Sequence, residues 1–152
     1  MLRLQLIAIG IFLASIGNWG VDASIPYCAD ACATLATNFE YAGCLETDEL
    51  YYACRCASPE FLGTIALCIH SHCNPGEWSY VDVDLCQGYG QTAPIESYLV
   101  ALANATLYAA APPSNLTQDL TNPVMFSDVD FAVAYRTTAD FDGNYTDGSF
   151  FG

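Results

Sequence analysis

The hydrophobic positions of the chain repeat mostly at helical spacing. Across residues 29–41, apolar side chains recur at helical intervals, and Gly43 then predicts a break. Ser58-Pro59-Glu60 predicts a helix start, because it combines a hydroxyl cap, a proline and an acid in the first turn. That helix is expected to stop near residues 74–76. Its predicted buried face consists of Phe61, Leu62, Ile65, Cys68 and Ile69.

The later part of the chain divides into two patterns. Residues 77–85 predict a short helix, and residues 94–111 predict a longer one that Pro112-Pro113 terminates. Residues 114–152 carry Asp, Asn, Thr, Gly and isolated aromatics without sustained periodicity. We therefore expect an irregular C-terminal tail, with a short strand at most over residues 131–135.

The first 23 residues have the layout of a secretory signal peptide. Arg3 precedes an apolar run over residues 4–16, and Val21 and Ala23 occupy the small-residue positions of a cleavage site. The run is shorter than the ~20 residues that a membrane span needs, although an uncleaved anchor helix is the alternative. No later stretch approaches that length, and the last residues carry no hydrophobic tail for a glycolipid anchor. We expect a secreted, extracellular protein.

The charge of the chain excludes some partners. It has 17 acidic residues against three arginines and lysines, so the formal net charge is −14. Such a surface repels nucleic acid and anionic lipid. The sequence contains no nucleophile, phosphate-loop or dinucleotide-binding motif, so no enzymatic activity is predicted.

The cysteines set the fold class. All eight fall between residues 28 and 86 of a predicted secreted chain, and an even number can pair completely under oxidising conditions. A zinc site is the competing explanation, but the C-x2-C spacing common in structural zinc sites is missing. About a hundred pairings are open to eight cysteines, and sequence alone does not choose among them. The predicted disulfide residues are Cys28, Cys32, Cys44, Cys54, Cys56, Cys68, Cys73 and Cys86.

Together these patterns predict a mainly α protein. Its expected form is a small disulfide-rich helical domain with an extra helix and an irregular C-terminal tail. We divide the chain into a signal peptide (residues 1–23), a cysteine-rich domain (24–91) and a helix with an extended, glycosylated tail (92–152).

The order of the residues around the cysteines resembles the CFEM domain, a fungal extracellular eight-cysteine module. The likeness rests on Pro26 two positions before the first cysteine, the C-x-C pair Cys54-Arg55-Cys56, Thr47-Asp48 and most of the cysteine intervals. The interval from Cys73 to Cys86 is shorter than is usual in the family. This resemblance implies a role in iron or haem binding.

A second resemblance extends beyond the cysteines. Residues 32–68, including Phe61-Leu62-Gly63, are similar to the N-terminal ectodomain of fungal ferric reductases, and the stretch from Asn104 to Pro112 continues that likeness. It implies a link to fungal iron acquisition, as the outer part of a reductase without its membrane part, either truncated or standing alone. The implied partners are ferric haem or iron, a membrane reductase and cell-wall components.

Asp48 is the residue to which this resemblance gives a specific role. In haem-binding CFEM proteins the corresponding aspartate is an axial ligand of ferric haem, so Asp48 is the predicted haem and metal ligand. The alternative is that Thr47 or Asp48 caps the short helix leading to Cys54. The candidate pocket-lining residues are Phe39, Tyr41, Leu62 and Ile65, although an ordinary core role is the favoured interpretation for them.

Two other motifs have some features of metal sites. His70 and His72 share a face on a strand but diverge by about 200° on a helix, where we place them, so surface histidines are favoured over a site with Glu77. Residues 140–144 have the acidic rhythm of a calcium loop, but Tyr145 stands where glycine is required and no glutamate follows. We interpret them as a turn.

Three sequons predict N-glycosylation at Asn104, Asn115 and Asn144, all outside the cysteine-rich part. The sequence therefore predicts an extracellular module for haem or iron, or alternatively a secreted acidic effector or cell-wall interaction protein with no cofactor.

Overall fold

The computed structural model describes residues 27–44, 51–88, 90–91, 94–114 and 119–146, without the side chains of Tyr52 and of residues 141–146. Helices dominate, and the predicted mainly α, disulfide-rich class is confirmed. The elements in chain order are α1 (Tyr27–Thr37), β1 (Glu40–Tyr41), α2 (Tyr51–Cys56), α3 (Pro59–His72), a 3-10 turn (Pro75–Glu77), α4 (Trp78–Tyr80), a π-helix (Val81–Gln87), α5 (Tyr98–Tyr108), β2 (Asp119–Leu120) and α6 (Asp128–Thr146).

Helix α3 lies at the centre of the protein. Ser58 caps it by accepting the amide of Phe61 at 3.3 Å, as the sequence predicted, and the helix ends one residue before Cys73. The predicted face is buried, but so is every other residue from Phe61 to Ile69. The reason is that α1, α2 and α5 all pack against this helix, so it has no solvent-facing stripe along that stretch.

Helix α1 is shorter than the predicted 29–41. Backbone amides of Asn38 and Phe39 turn back to carbonyls of the preceding turn, and the chain then enters β1. The Tyr41 hydroxyl donates to the Ala36 carbonyl at 2.8 Å, which satisfies one of the orphan carbonyls at the helix end. Gly43 has a φ of 83° and makes the turn that follows.

Four disulfides join all eight cysteines. The pairs are Cys28–Cys73, Cys32–Cys68, Cys44–Cys54 and Cys56–Cys86. Two of them tie α1 to α3, one closes the chain between β1 and α2, and one holds the π-helix against α2. The short last interval therefore does not prevent Cys86 from pairing.

The predicted helix over residues 77–85 is present but wound unusually. Trp78–Tyr80 is α-helical and Val81–Gln87 is a π-helix. The amide of Gly88 closes the π-helix on the Val83 carbonyl at 3.1 Å. A Cβ on Gly88 would lie 2.2 Å from the Asp84 carbonyl oxygen, so the tight end of this helix requires glycine.

Residues 94–146 pack on the cysteine-rich part. Helix α5 lies on α3, α6 lies on α1, and β2 pairs in parallel with β1. The close approach of α5 depends on Gly63, where an added Cβ would lie 3.0 Å from the Ala105 Cβ and 2.8 Å from the Pro123 Cγ. Buried side chains from both parts form one continuous core.

The predicted strand over residues 131–135 is wrong, because these residues lie inside α6. Ser127 and Asp130 cap that helix reciprocally: the Asp130 amide donates to the Ser127 hydroxyl at 3.2 Å, and the Ser127 amide donates to the Asp130 carboxylate at 3.3 Å. The residues that α6 turns inward are Ala134 and Thr138, with Phe131 half-buried. The turn predicted over residues 140–144 is also wrong, because α6 continues through these residues to Thr146.

Candidate functional site

Asp48 itself lies outside the described residues, and the structure describes the two ends of the segment that carries it. Cys44 ends the turn after β1, and Tyr51 begins α2. The disulfide between Cys44 and Cys54 joins these ends with a Cα–Cα distance of 5.6 Å across a sequence separation of 10. Asp48 therefore belongs to a ring of residues that this disulfide closes covalently.

Arg55 lies on α2, next to Cys54, and connects this helix to the end of α1. Its side chain is 2% exposed, and it donates to the carbonyls of Thr37 at 3.0 Å and Phe39 at 2.9 Å. The guanidinium also lies 3.9 Å from the ring centre of Tyr51 and donates to the Tyr51 hydroxyl. Arg55 thus fixes α2 to the end of α1. Sequence reasoning missed this residue, although it is one of only two cations after the predicted signal peptide and lies inside the C-x-C pair.

Tyr41 is unsuited to be an iron-binding phenolate. Burial raises the pKa of its hydroxyl well above the usual value, and the nearby positive charge of Arg55 only partly opposes this. The hydroxyl proton is already donated to Ala36. Leu62 and Ile65 are likewise core residues, exposed by 2% and 0%.

Phe39, one of the four candidate lining residues, borders a cavity. Its ring stacks on Phe126 at 6.0 Å between centroids, and both line a space of about 220 Å³ with Pro112, Pro113 and Asp130. Two further cavities have volumes of about 250 and 230 Å³. Pockets that enclose ligands of drug size start at roughly 300 Å³. Each of these three cavities is therefore smaller than a site of that kind.

The two histidines point to different neighbours, as expected for a helix. The His70 ring nitrogen lies 3.4 Å from the Tyr98 hydroxyl on α5. The His72 ring stacks on Phe131 of α6, with centroids 4.1 Å apart and an interplanar angle of 4°, and its Nδ1 lies 3.9 Å from the Asp128 carboxylate. Each histidine therefore joins α3 to a different C-terminal helix, and the two do not form a shared metal site.

Glu77 is engaged in local structure. Its carboxylate accepts the amides of Ala29 at 3.1 Å and Asn74 at 3.3 Å. The sulfurs of Cys28 and Cys73 lie close to this carboxylate, but they are bonded to each other and offer no thiolate to a metal. Within the described residues this is the one cluster with metal-ligand spacing.

The three sequons differ in what the structure says of them. Asn104 is exposed on α5 and borders the 250 Å³ cavity. Asn115 lies outside the described residues. Asn144 belongs to α6, but its side chain is not described. Glycosylation at all three stays a prediction.

Comparison with protein families gives one match. Residues 21–87 match the model described as CFEM domain, which is somewhat less than half of the chain and includes all eight cysteines. Comparison with curated proteins and with solved structures found no match. Along the described parts of the chain, no helix has the length and apolar character needed to cross a membrane.

Proposed function

Because residues 21–87 form a CFEM domain, which is a fungal cysteine-rich extracellular and non-catalytic module, we propose that this protein binds ferric haem or iron outside the cell. CFEM domains occur in iron-related, haem-related and cell-surface contexts, and the acidic, disulfide-stapled chain fits such a setting. The observation that carries the proposal is this family match, since it includes Asp48.

Asp48 is the proposed iron ligand. A carboxylate is a hard oxygen donor, so it holds ferric iron more strongly than ferrous iron, and reduction would favour release. The Cys44–Cys54 disulfide closes the ring of residues that contains Asp48, and Arg55 fixes α2 at one end of that ring. A covalently closed ring has fewer conformations open to it before a ligand binds than a free chain of the same length, which supports affinity.

The test is a titration of the oxidised protein with ferric haem, followed through the haem absorption band. The Asp48→Asn variant is the informative one, because asparagine caps a helix as well as aspartate does but is a poor ligand for ferric iron. We expect the variant to lose about tenfold or more in affinity. Glu49→Gln is the matched control, since it removes one negative charge at the next position, and it should bind like the wild type. Equal binding by wild type and Asp48→Asn would reduce Asp48 to a helix cap.

The cofactor-free alternative rests on the acidic charge and the four disulfides, neither of which requires a cofactor. A secreted acidic effector or cell-wall protein would use the same scaffold without a cofactor. Failure of the wild type to take up ferric haem or ferric iron at micromolar concentration would favour this alternative.

The relation to ferric reductases is a separate proposal. It rests on the likeness from Cys32 to Cys68 and beyond, and it makes the chain the outer region of a reductase. Sequencing of the transcript downstream of the codon for Gly152 tests it. An in-frame region that encodes several apolar spans is expected, and a stop codon with no such region would leave a stand-alone module.

A further inference from the structure

A groove lies between the start of α3, one side of α5 and the segment at residues 121–123. Its volume is about 250 Å³, and its walls include Pro59, Glu60, Asn122 and Pro123. Asn104 and Tyr108 of α5 line its other side. Residues four positions apart are neighbours on a helix surface, so these two side chains stand next to each other at the edge of the groove.

Asn104 has the chemistry of an acceptor for N-linked sugar. It begins Asn104-Ala105-Thr106, and both Asn104 and Thr106 are exposed. Ala105 between them is fully buried, because it faces α3 at Gly63. The backbone of the sequon is therefore anchored by its middle residue while the two residues that define it face solvent.

Tyr108 is unusually open for a large aromatic residue, since its side chain is 63% exposed. The carbon-bound hydrogens on one face of a pyranose pack well on an aromatic ring, and the hydroxyl and acetamide groups at its rim require hydrogen-bond partners. Tyr108 and the two prolines supply the apolar surfaces of the groove, and Glu60, Asn122 and Thr121 supply polar groups.

We propose that Asn104 carries an N-linked glycan whose first sugar lies in this groove against the ring of Tyr108. The sugar would contact α3, α5 and the 121–123 segment together. It would thereby hold in place a part of the protein that follows the last cysteine and has no disulfide of its own. This inference requires secretion through a glycosylating compartment, and it does not depend on haem or iron binding.

The experiment uses protein secreted from a eukaryotic host and two substitutions of the sequon threonine. Thr106→Ala abolishes the acceptor site without changing Asn104, whereas Thr106→Ser keeps the site. Glycopeptide mass spectrometry should find sugar on Asn104 in the wild type and in Thr106→Ser, and none in Thr106→Ala. Absence of sugar on Asn104 in the wild type would overturn the proposal.

The position of the sugar is tested in the same material after an endoglycosidase has trimmed each glycan to its first N-acetylglucosamine. Thr106→Ser should then melt about 2–4 °C above Thr106→Ala, which corresponds to about 1 kcal/mol in a protein of this size. In a Tyr108→Ala background the same pair should melt together, because the ring is gone. Nuclear Overhauser contacts between the sugar and the Tyr108 ring should appear in the trimmed wild type. An equal difference in both backgrounds, without such contacts, would show that the sugar is not seated there.

Discussion

The cysteine-rich region (residues 27–87) and the C-terminal region (residues 94–146) reach a packed helical structure by different means. The first region carries four disulfides, and its central helix is buried on every side from Phe61 to Ile69. The second has no cysteine, and its helices α5 and α6 are buried along narrow faces. Cross-links thus fix one region, while the other depends on how closely it fits the first.

That fit relies on small side chains and a few directed contacts. Ala101 and Ala105 of α5 are fully buried, and Gly63 lets α5 and Pro123 approach α3. The buried hydroxyl of Thr64 accepts the Val124 amide at 3.1 Å, which ties the segment after β2 to the central helix. A single added methyl group can therefore disturb the C-terminal region, whereas the cysteine-rich region should need the loss of a covalent bond or a buried charge.

The largest effect is expected from removing the Cys32–Cys68 disulfide with the double substitution Cys32→Ala/Cys68→Ala. The bond spans a sequence separation of 36, and in the chain-entropy account its loss costs about 4 kcal/mol of unfolding free energy. Urea denaturation of the secreted protein measures this cost. The Cys44→Ala/Cys54→Ala pair, with a separation of 10, should cost about 3 kcal/mol. A larger loss from the shorter loop would contradict the expectation.

Arg55→Lys is expected to cost about 2–3 kcal/mol, because a single ammonium cannot reproduce the fork that serves the carbonyl of Thr37 at the end of α1 and that of Phe39 just beyond it. Equilibrium unfolding in urea checks this value. Arg136→Lys is the matched control, since Arg136 is exposed on α6 and its replacement should leave stability nearly unchanged. Equal losses of unfolding free energy in the two variants would show that the Arg55 hydrogen bonds do not stabilise the fold.

Gly63→Ala tests the fit between the two regions. The new Cβ would lie within 3.0 Å of both Ala105 and Pro123, so we expect a cost of about 1–3 kcal/mol from overpacking. Limited proteolysis should then cut within residues 94–127 before it cuts the disulfide-linked region. Gly76→Ala should resist as the wild type does, because its Cβ would come near only the side chain of Asn74. Unchanged proteolysis of Gly63→Ala would show that α5 can move away at little cost.

Phe131→Ala tests how α6 is held. It removes the ring that stacks on His72, and we expect a loss of about 1–2 kcal/mol, since the ring is only half-buried. Hydrogen exchange should increase selectively in α6. Val133→Ala on the exposed side of the same helix should leave exchange unchanged, as its side chain is 62% exposed. Uniform protection in both variants would place the anchor of α6 elsewhere.

The smallest expected effect is a loss of stability at alkaline pH, caused by Tyr41 in the cysteine-rich region. Burial raises the pKa of Tyr41 in the folded protein, so the folded state keeps a proton that the unfolded state releases above about pH 10. Stability due to this group is complete below that pH and is lost as the pH rises beyond it. Between pH 8 and 10.5 the wild type should lose about 1 kcal/mol from this source. Tyr41→Phe should show a correspondingly smaller alkaline loss in urea unfolding, and an identical loss would contradict the assignment.

The sequence anticipated elements whose local signals are strong. Ser58-Pro59-Glu60 predicted the start of α3, and the apolar repeat after it predicted the buried face. Helix α6 was missed because its inward positions are half-buried Phe131 and the small or polar Ala134 and Thr138, which carry little hydrophobic signal. Its start was nevertheless encoded, since Ser127 and Asp130 form a reciprocal cap at the spacing of a capping box.

The candidate site also has parts that the sequence could indicate and parts that only the fold reveals. Asp48 was singled out by resemblance, and its role stays a prediction because it lies outside the described residues. The function of Arg55 is visible only in three dimensions, since its carbonyl partners Thr37 and Phe39 lie far from it in sequence. The groove beside Asn104 also needed the fold, because Pro59 and Pro123 come together there from distant parts of the chain.

By itself, the sequence determined the helical class, the acidic charge and the CFEM likeness, because composition, periodicity and cysteine intervals are local properties of the chain. The tertiary structure decided which of the many cysteine pairings forms, since pairing depends on which Cα atoms approach within about 6 Å. It also decided that residues 94–146 dock on α1 and α3. That docking depends on the space left at Gly63 and on the stacking of His72 on Phe131. Both are contacts between distant residues, so the hydrophobic periodicity of either segment does not predict them.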